Sequence, residues 1–235
     1  MVYPRGELTA AGYRNFSDTL VKFAIDEPNA VVVILDDLLV GVPDLYTAFR
    51  SAALRVGEWP DVPIHLVAHA QTRRDWLRRS AVRLPIFADV SAALRAAGGG
   101  SQRHRATLEL AEAAECGQRA RTFVEEICVR WDVPEVRVDA LLIATELVEN
   151  SFLHSRVPGG MQLRLELRDD RFCVAVGDND PHEALLREPG VGGSRHYGLH
   201  IVARLASSWG CVPRRPAGKV VWAVLPTGRW ALLAR

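Results

Sequence analysis

The chain has 235 residues, of which 49% are hydrophobic and 24% charged, a balance that indicates a packed globular protein and excludes a largely disordered one. Its formal net charge of +1 gives no global field for binding nucleic acid or a membrane surface. The length favours two small domains, and apolar runs such as AVVVIL are too short to span a bilayer, so we expect a cytoplasmic protein.

Strand and helix patterns alternate in the first 97 residues. A β-branched run, AVVVIL (30–35), predicts a buried strand, and Pro43 with Asp44 offers a helix start after it. Ser91 or Asp89 opens the last helix of this part. Strands are also predicted near GELTA and in VPIHLVAHA and RLPIFADV, and helices in FSDTLVKFAID, DLYTAFRSAALRV, QTRRDWLRRSAV and SAALRAA. Such alternation predicts an α/β domain with a largely parallel sheet.

The segment RAAGGGSQRHR (95–105) is the clearest break in the chain, because three consecutive glycines followed by polar residues cannot bury a face. We place a linker at residues 98–106, between domains of residues 1–97 and 107–235. The second domain is predicted to contain helices in CGQRARTFVEEICVRW, VRVDALLIATELVENSFLHS and YGLHIVARLASSW, and strands in MQLRLELR, RFCVAVGD and GKVVWAVLP. A hairpin at Asp169 and Asp170 joins the first two strands, so we expect an α+β sandwich with a mixed, mostly antiparallel sheet.

Two other sets of residues are interpreted structurally. Four cysteines are widely spaced and form no C-x-x-C pair, which favours reduced core residues over a zinc or redox site: Cys116, Cys128, Cys173 and Cys211. Four arginines form a local basic cluster, for which a solvated helix face is the favoured interpretation: Arg73, Arg74, Arg78 and Arg79.

The predicted helix ALLIATELVENSFLHS (140–155) carries an unusual polar stripe. Glu146, Asn150 and His154 are spaced i, i+4 and i+8, so they project from one side of the helix. Asn and His are poor helix formers, which favours a functional role over a solvated face, although the spacing alone leaves both open. Apolar residues are expected to dock the other side onto a sheet: Leu141, Leu142, Ala144, Leu147, Val148 and Phe152.

Two further features follow in the chain. The strand RFCVAVGD runs into an acidic, turn-prone stretch, Asp178-Asn179-Asp180-Pro181, at a position where functional side chains are commonly displayed. A glycine-containing segment, GVGGSRHYG, then leads into a helix, whose N-terminal N–H groups suit a phosphate. Each of these features alone is weak evidence of a functional site. The set is specific because the polar helix, the acidic strand end and the glycine segment follow one another in this order.

This ordered set resembles the GHKL (Bergerat-fold) ATP-binding family over residues 108–226, in particular its anti-sigma-factor serine kinases. TELVENSFLHS resembles the N box, a helix with E-x-x-x-N and then a histidine, which assigns His154 to the nucleotide site. GDND resembles the adenine-contacting box, HYGLHIVARLASSWG the second glycine box with its helix, and GKVVW the last sheet strand. The resemblance implies a bacterial regulatory protein that uses ATP and Mg²⁺ to phosphorylate a serine of a partner.

The resemblance also implies the residues' roles. Glu146 would be the general base for the substrate serine, and Asn150 would hold Mg²⁺. Asp178 would accept a hydrogen bond from the adenine amino group, while the loop ending at Gly198 and Leu199 would cover the phosphates.

This sequence departs from the family pattern at three positions. Asp180 and His182 stand where the adenine-contacting box has glycines, and His196 replaces the first glycine of the second glycine box. Side chains there block close backbone approach, and extra carboxylate repels phosphate. The alternative function is therefore a non-catalytic nucleotide-sensing or protein-binding module.

The first domain resembles the STAS domain of anti-sigma-factor antagonists over residues 6–97, through its βαβα pattern and ILDDLLVGVPDLYTAF. Those antagonists carry a phosphorylatable serine at a helix start, where this chain has Val42-Pro43-Asp44-Leu45. Asp44 would be either a helix cap or a permanent negative charge, in a degenerate STAS-like domain. The partners implied are a sigma factor or a STAS-type antagonist, with a homodimer also open. A small-molecule enzyme is not favoured, because the first domain lacks a P-loop, a G-x-G-x-x-G motif and a nucleophile elbow.

Overall fold

The computed structural model describes residues 1–80, 82–98, 103–186, 197–214 and 216–228. The chain divides into two compact units, Met1–Gly100 and Ser101–Arg235. Within the described ranges, no helix is both long and apolar enough to cross a membrane.

The first unit contains parallel strands with helices between them. Its main sheet has the order β2-β4-β5, and Val31 of β2 lies opposite Ile64 of β4. Two short strands, β1 and β3, form a separate parallel pair. The strands are β1 (Gly6–Leu8), β2 (Val31–Ile34), β3 (Leu38–Val40), β4 (Ile64–Val67) and β5 (Ile86–Phe87), and the helices are α1 (Tyr13–Ile25), α2 (Thr47–Val56), α3 (Gln71–Arg79) and α4 (Val90–Gly98). The alternating sequence pattern therefore predicted the parallel βαβ arrangement but missed β3.

Helix starts in the first unit are set by local chemistry. Of the two candidates for α4, Asp89 is the residue that caps, since its Oδ1 accepts a hydrogen bond from the Ala92 N–H at 2.8 Å. Pro43 begins a 3-10 helix, Pro43–Tyr46, that leads into α2, and Asp44 lies in its first turn without making a side-chain cap. The expectation that Asp44 caps a helix is therefore wrong.

The basic cluster on α3 is only partly a solvated face. Arg73 donates hydrogen bonds to the carbonyl oxygens of Leu35 and Asp36, and Arg74 donates to the carbonyl oxygen of Ala68 at 2.6 Å. These carbonyl oxygens lie directly after the ends of β2 and β4. Two of the four arginines therefore satisfy the backbone at the strand ends, which corrects the favoured interpretation.

The second unit contains a five-stranded sheet in the order β6-β7-β8-β10-β9. Every pairing between these strands is antiparallel, which corrects the expectation of a mixed sheet. Asp169, with φ of 50°, turns the tight hairpin between β7 and β8 as predicted. The strands are β6 (Arg103–Leu110), β7 (Met161–Arg168), β8 (Arg171–Asp178), β9 (Ser208–Pro213) and β10 (Lys219–Pro226).

In the described part of the second unit, three helices cover one face of this sheet: α5 (Cys116–Arg130), α6 (Arg137–His154) and α7 (Gly198–Leu205). Their apolar sides and alternate strand residues form a single core, in which Val124, Leu147 and Val202 pack against strand residues such as Val174 and Val221. The second unit is thus a two-layer α/β sandwich.

Two elements of the second unit lie where other structure was expected. Strand β6 begins at Arg103, inside the proposed linker, because Ala106, Leu108 and Leu110 alternate with polar residues as a half-buried strand requires. Helix α7 ends at Leu205, and residues predicted to continue it, from Ser208, belong to β9.

The four cysteines are free thiols, and three are buried, as expected for core residues. Burial raises the pKa of the Cys128 thiol to about 11. No group of three or more His, Cys, Asp or Glu side chains suited to a metal occurs among the residues described.

Candidate nucleotide site

Helix α6 is held on the sheet by a stripe of small and apolar residues spaced three and four apart. Leu142 and Phe152, which were expected in this stripe, are 40% and 38% exposed. They lie too far around the helix from the buried row to reach the sheet. The buried residues are Ala140, Ile143, Ala144, Leu147, Val148 and Ser151.

The predicted polar stripe lies on α6 beside this buried row. Glu146 and Asn150 are half-buried, whereas His154, the last residue of the helix, is exposed. Each step of four residues turns about 40° around the helix axis, so the three side chains follow a gradual curve. The structure therefore places Glu146 and Asn150 together and leaves His154 towards the end of the site.

Glu146 meets the beginning of helix α7. A Cβ atom added to Gly198, the first residue of α7, would lie 2.6 Å from Glu146 Oε2, so the carboxylate rests against the backbone at this position. Burial, with a contribution from the charge of Glu149, raises the pKa of Glu146. A partly desolvated carboxylate with a raised pKa next to a helix N-terminus is an arrangement suited to accepting a proton.

Asp178 ends β8 on the face covered by the helices, because it continues the inward series of Phe172, Val174 and Val176. Its Oδ1 accepts hydrogen bonds from the Lys219 ammonium at 2.9 Å and from the Asp180 N–H at 3.0 Å. The carboxylate is therefore buried and paired with a cation.

Ser151 makes the third contact of this carboxylate. Its hydroxyl, buried on α6, donates to Asp178 Oδ2 at 2.8 Å. The bond links the helix that carries Glu146 and Asn150 to the strand end that carries Asp178, so the two parts of the candidate site are fixed relative to one another.

Asp180 is also buried, where the family pattern has a glycine. Its carboxylate accepts the N–H groups of Arg156 at 2.9 Å and His182 at 3.0 Å, and the His182 ring at 2.5 Å. Burial acts to raise the pKa of Asp180, but these hydrogen bonds outweigh it and hold the pKa well below its usual range. Asp180 thus ties the loop after α6 to the end of β8, and its charge is compensated within the protein.

Gly218 allows the strands to meet at this site. Its φ is +113°, and a Cβ atom there would lie 2.1 Å from the carbonyl oxygen of Asp178. Only glycine permits this approach, which places Lys219 opposite Asp178 in the β8–β10 ladder.

The remaining predicted residues lie at the start of α7. Leu199 is 8% exposed and its side chain packs in the core, which leaves only its backbone to face a ligand. Residues 190–196 of the predicted glycine loop, including the substituted His196, lie outside the described residues, whereas its end at Gly198 and Leu199 is described.

Sequence reasoning missed Ser151 and Lys219. Ser151 follows Asn150 directly, and the buried row of α6 passes through it. Lys219 was only included in the predicted strand GKVVWAVLP, although it is one of two lysines in the chain and stands at the start of a strongly apolar run. A lone cation opening a buried strand is a signal that would have pointed to an acidic partner.

The donor set fits Mg²⁺ held mainly by phosphate. Asn150 offers a neutral amide oxygen from a half-buried position, one turn after Glu146. Mg²⁺ is commonly bound by one or two protein oxygens together with phosphates and water. Asn150 is accordingly the residue that would hold the ion here.

In this two-layer sandwich, polar side chains gather where α6, α7 and β8 meet. Residues 110–225 match the family model described as Histidine kinase-like ATPase domain, and this range contains α5, α6, α7 and every predicted site residue. The match supports the GHKL part of the resemblance, and GHKL ATPase domains bind ATP, usually with Mg²⁺. Comparison with curated proteins gave no match.

Proposed function

We propose that the chain is a bacterial regulatory protein of the anti-sigma factor or serine kinase type, which binds ATP with Mg²⁺ and phosphorylates a serine of a partner. The observation that carries this proposal is the contact between the Glu146 carboxylate and Gly198 at the start of α7. The first N–H groups of a helix have no partners within the helix and attract phosphate. Glu146 is therefore positioned beside the phosphate end of a bound nucleotide.

The proposed chemistry needs few side chains. Glu146 accepts the proton of the substrate serine hydroxyl, and its raised pKa improves its strength as a base. Asn150 supplies an oxygen ligand to Mg²⁺, and Asp178 accepts the adenine amino group. Bound ATP supplies the γ-phosphoryl group, whose transfer depends mainly on positioning and electrostatic stabilisation.

The partners proposed are a sigma factor or a STAS-type antagonist, with the reaction in the cytoplasm. The first unit, as a degenerate STAS-like domain, has no hydroxyl at Val42-Pro43-Asp44-Leu45, where those antagonists have their phosphorylated serine. We therefore expect the phosphorylated serine to lie on another protein.

The hydrogen bonds of the Asp178 and Asp180 carboxylates favour a second candidate function. This is a non-catalytic nucleotide-sensing or protein-binding module. Asp178 and Asp180 already accept hydrogen bonds within the protein, and Asp178 is paired with Lys219. A site satisfied in this way is stable without a nucleotide, as a protein-binding surface requires.

ATP binding is tested by the thermal unfolding midpoint of the full chain with and without ATP and MgCl₂. A ligand at a hundred times its Kd adds about 2.7 kcal/mol to the stability of the native state. We expect ATP to raise the unfolding midpoint of the parent in a Mg²⁺-dependent way and to raise that of Asn150→Ala much less. In Val138→Ala, at a 68% exposed position on the same helix, the midpoint should rise as much as in the parent. No rise at millimolar ATP would exclude the kinase and leave the protein-binding module.

The two candidates are separated by Glu146→Gln, assayed for phosphate transfer from labelled ATP to a STAS-type antagonist of the same organism. A kinase should lose at least about 100-fold in rate, because one general base contributes roughly that much or more. ATP binding should survive in the variant. An unchanged rate of transfer would contradict the assigned base.

A further inference from the structure

The ammonium group of Lys219 lies inside the candidate site. Its side chain is 8% exposed and that of Asp178 is 3% exposed, so both are buried. Nζ donates to Asp178 Oδ1 at 2.9 Å and to the Asp180 carbonyl oxygen at 3.2 Å. An ammonium has three hydrogens, and the residues described account for two of them.

The acceptor side of the pair can be counted in the same way. A carboxylate has about four acceptor positions, two on each oxygen. On Asp178, Oδ1 accepts from Lys219 and Asp180, and Oδ2 accepts from Ser151. Within the described part of the chain, the pair therefore keeps one acceptor position on Oδ2 and one donor hydrogen on Nζ.

The choice of lysine is unusual for this chain. Of its 29 basic residues only Lys22 and Lys219 are lysines. A compact ammonium places its charge at one point, between a carboxylate and a carbonyl oxygen, whereas a guanidinium is planar and distributes its donors in a fixed fork. An ammonium can donate to the Asp178 carboxylate and to the Asp180 carbonyl oxygen at the same time, as Lys219 does here.

We propose that Lys219 is a specificity-determining residue, which reads the nucleobase together with Asp178 by donating a hydrogen bond to ring nitrogen N1 of adenine. This inference rests on the proposed function, since it assigns a second contact within the same ATP site. Adenine presents an amino donor beside the N1 acceptor, which matches one acceptor on Oδ2 and one donor on Nζ. The corresponding edge of guanine has one acceptor, O6, and two donors, N1–H and the 2-amino group. The pair offers only one acceptor position, so one of the two guanine donors is left without a partner.

The test is isothermal titration of the full chain with ATP, 1-deaza-ATP and GTP, each with MgCl₂. 1-Deaza-ATP has a C–H in place of N1 and keeps the amino group. For the parent we expect roughly tenfold weaker binding of 1-deaza-ATP and of GTP than of ATP, since a lost or unpaired hydrogen bond has about that effect. Lys22→Met, which removes the other lysine, should show the same ratios.

In Lys219→Met the ratio between ATP and 1-deaza-ATP should fall to about one, because the donor that distinguishes them is gone. If Lys219 only compensates the charge of Asp178, the substitution weakens both nucleotides equally and the ratio stays as in the parent, which overturns the inference. Equal binding of ATP and 1-deaza-ATP by the parent also overturns it and leaves the proposed function standing. Absence of binding by the parent overturns both.

Lys219→Met leaves the Asp178 carboxylate buried without its cation, so a second variant guards against loss of folding. The double variant Lys219→Met/Asp178→Leu replaces the buried ion pair by apolar side chains and introduces no donor that could take the place of the ammonium at N1. It is also expected to bind ATP and 1-deaza-ATP equally. A tenfold preference for ATP in a folded double variant would contradict the role given to Lys219.

Discussion

Among single residues, Gly198 most directly controls the proposed base. A methyl group at this position would lie 2.6 Å from Glu146 Oε2, the end of a flexible side chain that is able to move away. We therefore expect Gly198→Ala to leave the free energy of unfolding within about 1 kcal/mol of the parent. Phosphate transfer should fall between about 10-fold and 100-fold, because small displacements of a catalytic group have effects of that size.

Gly117→Ala is the matched control for this substitution. A Cβ atom at Gly117, on helix α5, would lie 3.2 Å from Glu149 Oε1, so the same change presses on the neighbouring carboxylate instead. Its rate of transfer should stay close to that of the parent. Equal losses in the two variants would mean that the contact with Glu146 has no special role.

Between elements, the pairing of β8 with β10 builds the site, and Gly218 is the position on which it depends. Alanine there would have a φ of +113° and a Cβ atom 2.1 Å from the backbone oxygen of Asp178, which has little room to move. We expect Gly218→Ala to lower the free energy of unfolding by at least about 3 kcal/mol in urea denaturation. Gly98→Ala, with nothing within 4 Å of the added Cβ, should change it by less than about 1 kcal/mol.

The elements that the sequence predicted are those with strong periodicity or clear turn chemistry. Helix α6 and the hairpin at Asp169 were predicted because an apolar row and a turn residue mark them. Strand β6 was missed because its arginines suggested a linker, although it pairs along its whole length with β7. Strand β9 was missed because no glycine or proline separates it from helix α7, so a local signal for the helix end was lacking.

In the molecule as a whole, the sequence predicted that Glu146 and Asn150 lie side by side, but it did not predict how the charges of Asp178 and Asp180 are balanced. Glu146 and Asn150 lie together because helical spacing fixes their relation. The contacts of Asp178 with Ser151 and Lys219 join a helix and two strands that are distant in sequence, and the pairing register that brings them together is not visible in any local pattern. The extra carboxylate of Asp180 was expected to repel phosphate, yet in the fold it accepts hydrogen bonds from two backbone N–H groups and from the His182 ring.

This compensation predicts how the stability of the chain depends on pH. The folded pKa of Asp180 is lowered from its ordinary value of 3.8, because hydrogen bonds outweigh burial, so its contribution is present above that pH and is lost as the pH falls through the folded pKa. Asp180→Asn should lower the free energy of unfolding by about 2 kcal/mol at pH 7, because it weakens charge-assisted hydrogen bonds. The difference from the parent should shrink as the pH is lowered below 4 in urea denaturation. Asp132→Asn, at an exposed turn, is the control for replacing a carboxylate by an amide. A difference that stays constant from pH 7 to about 2.5 would mean that the carboxylate of Asp180 stabilises the fold by its shape and not by its charge.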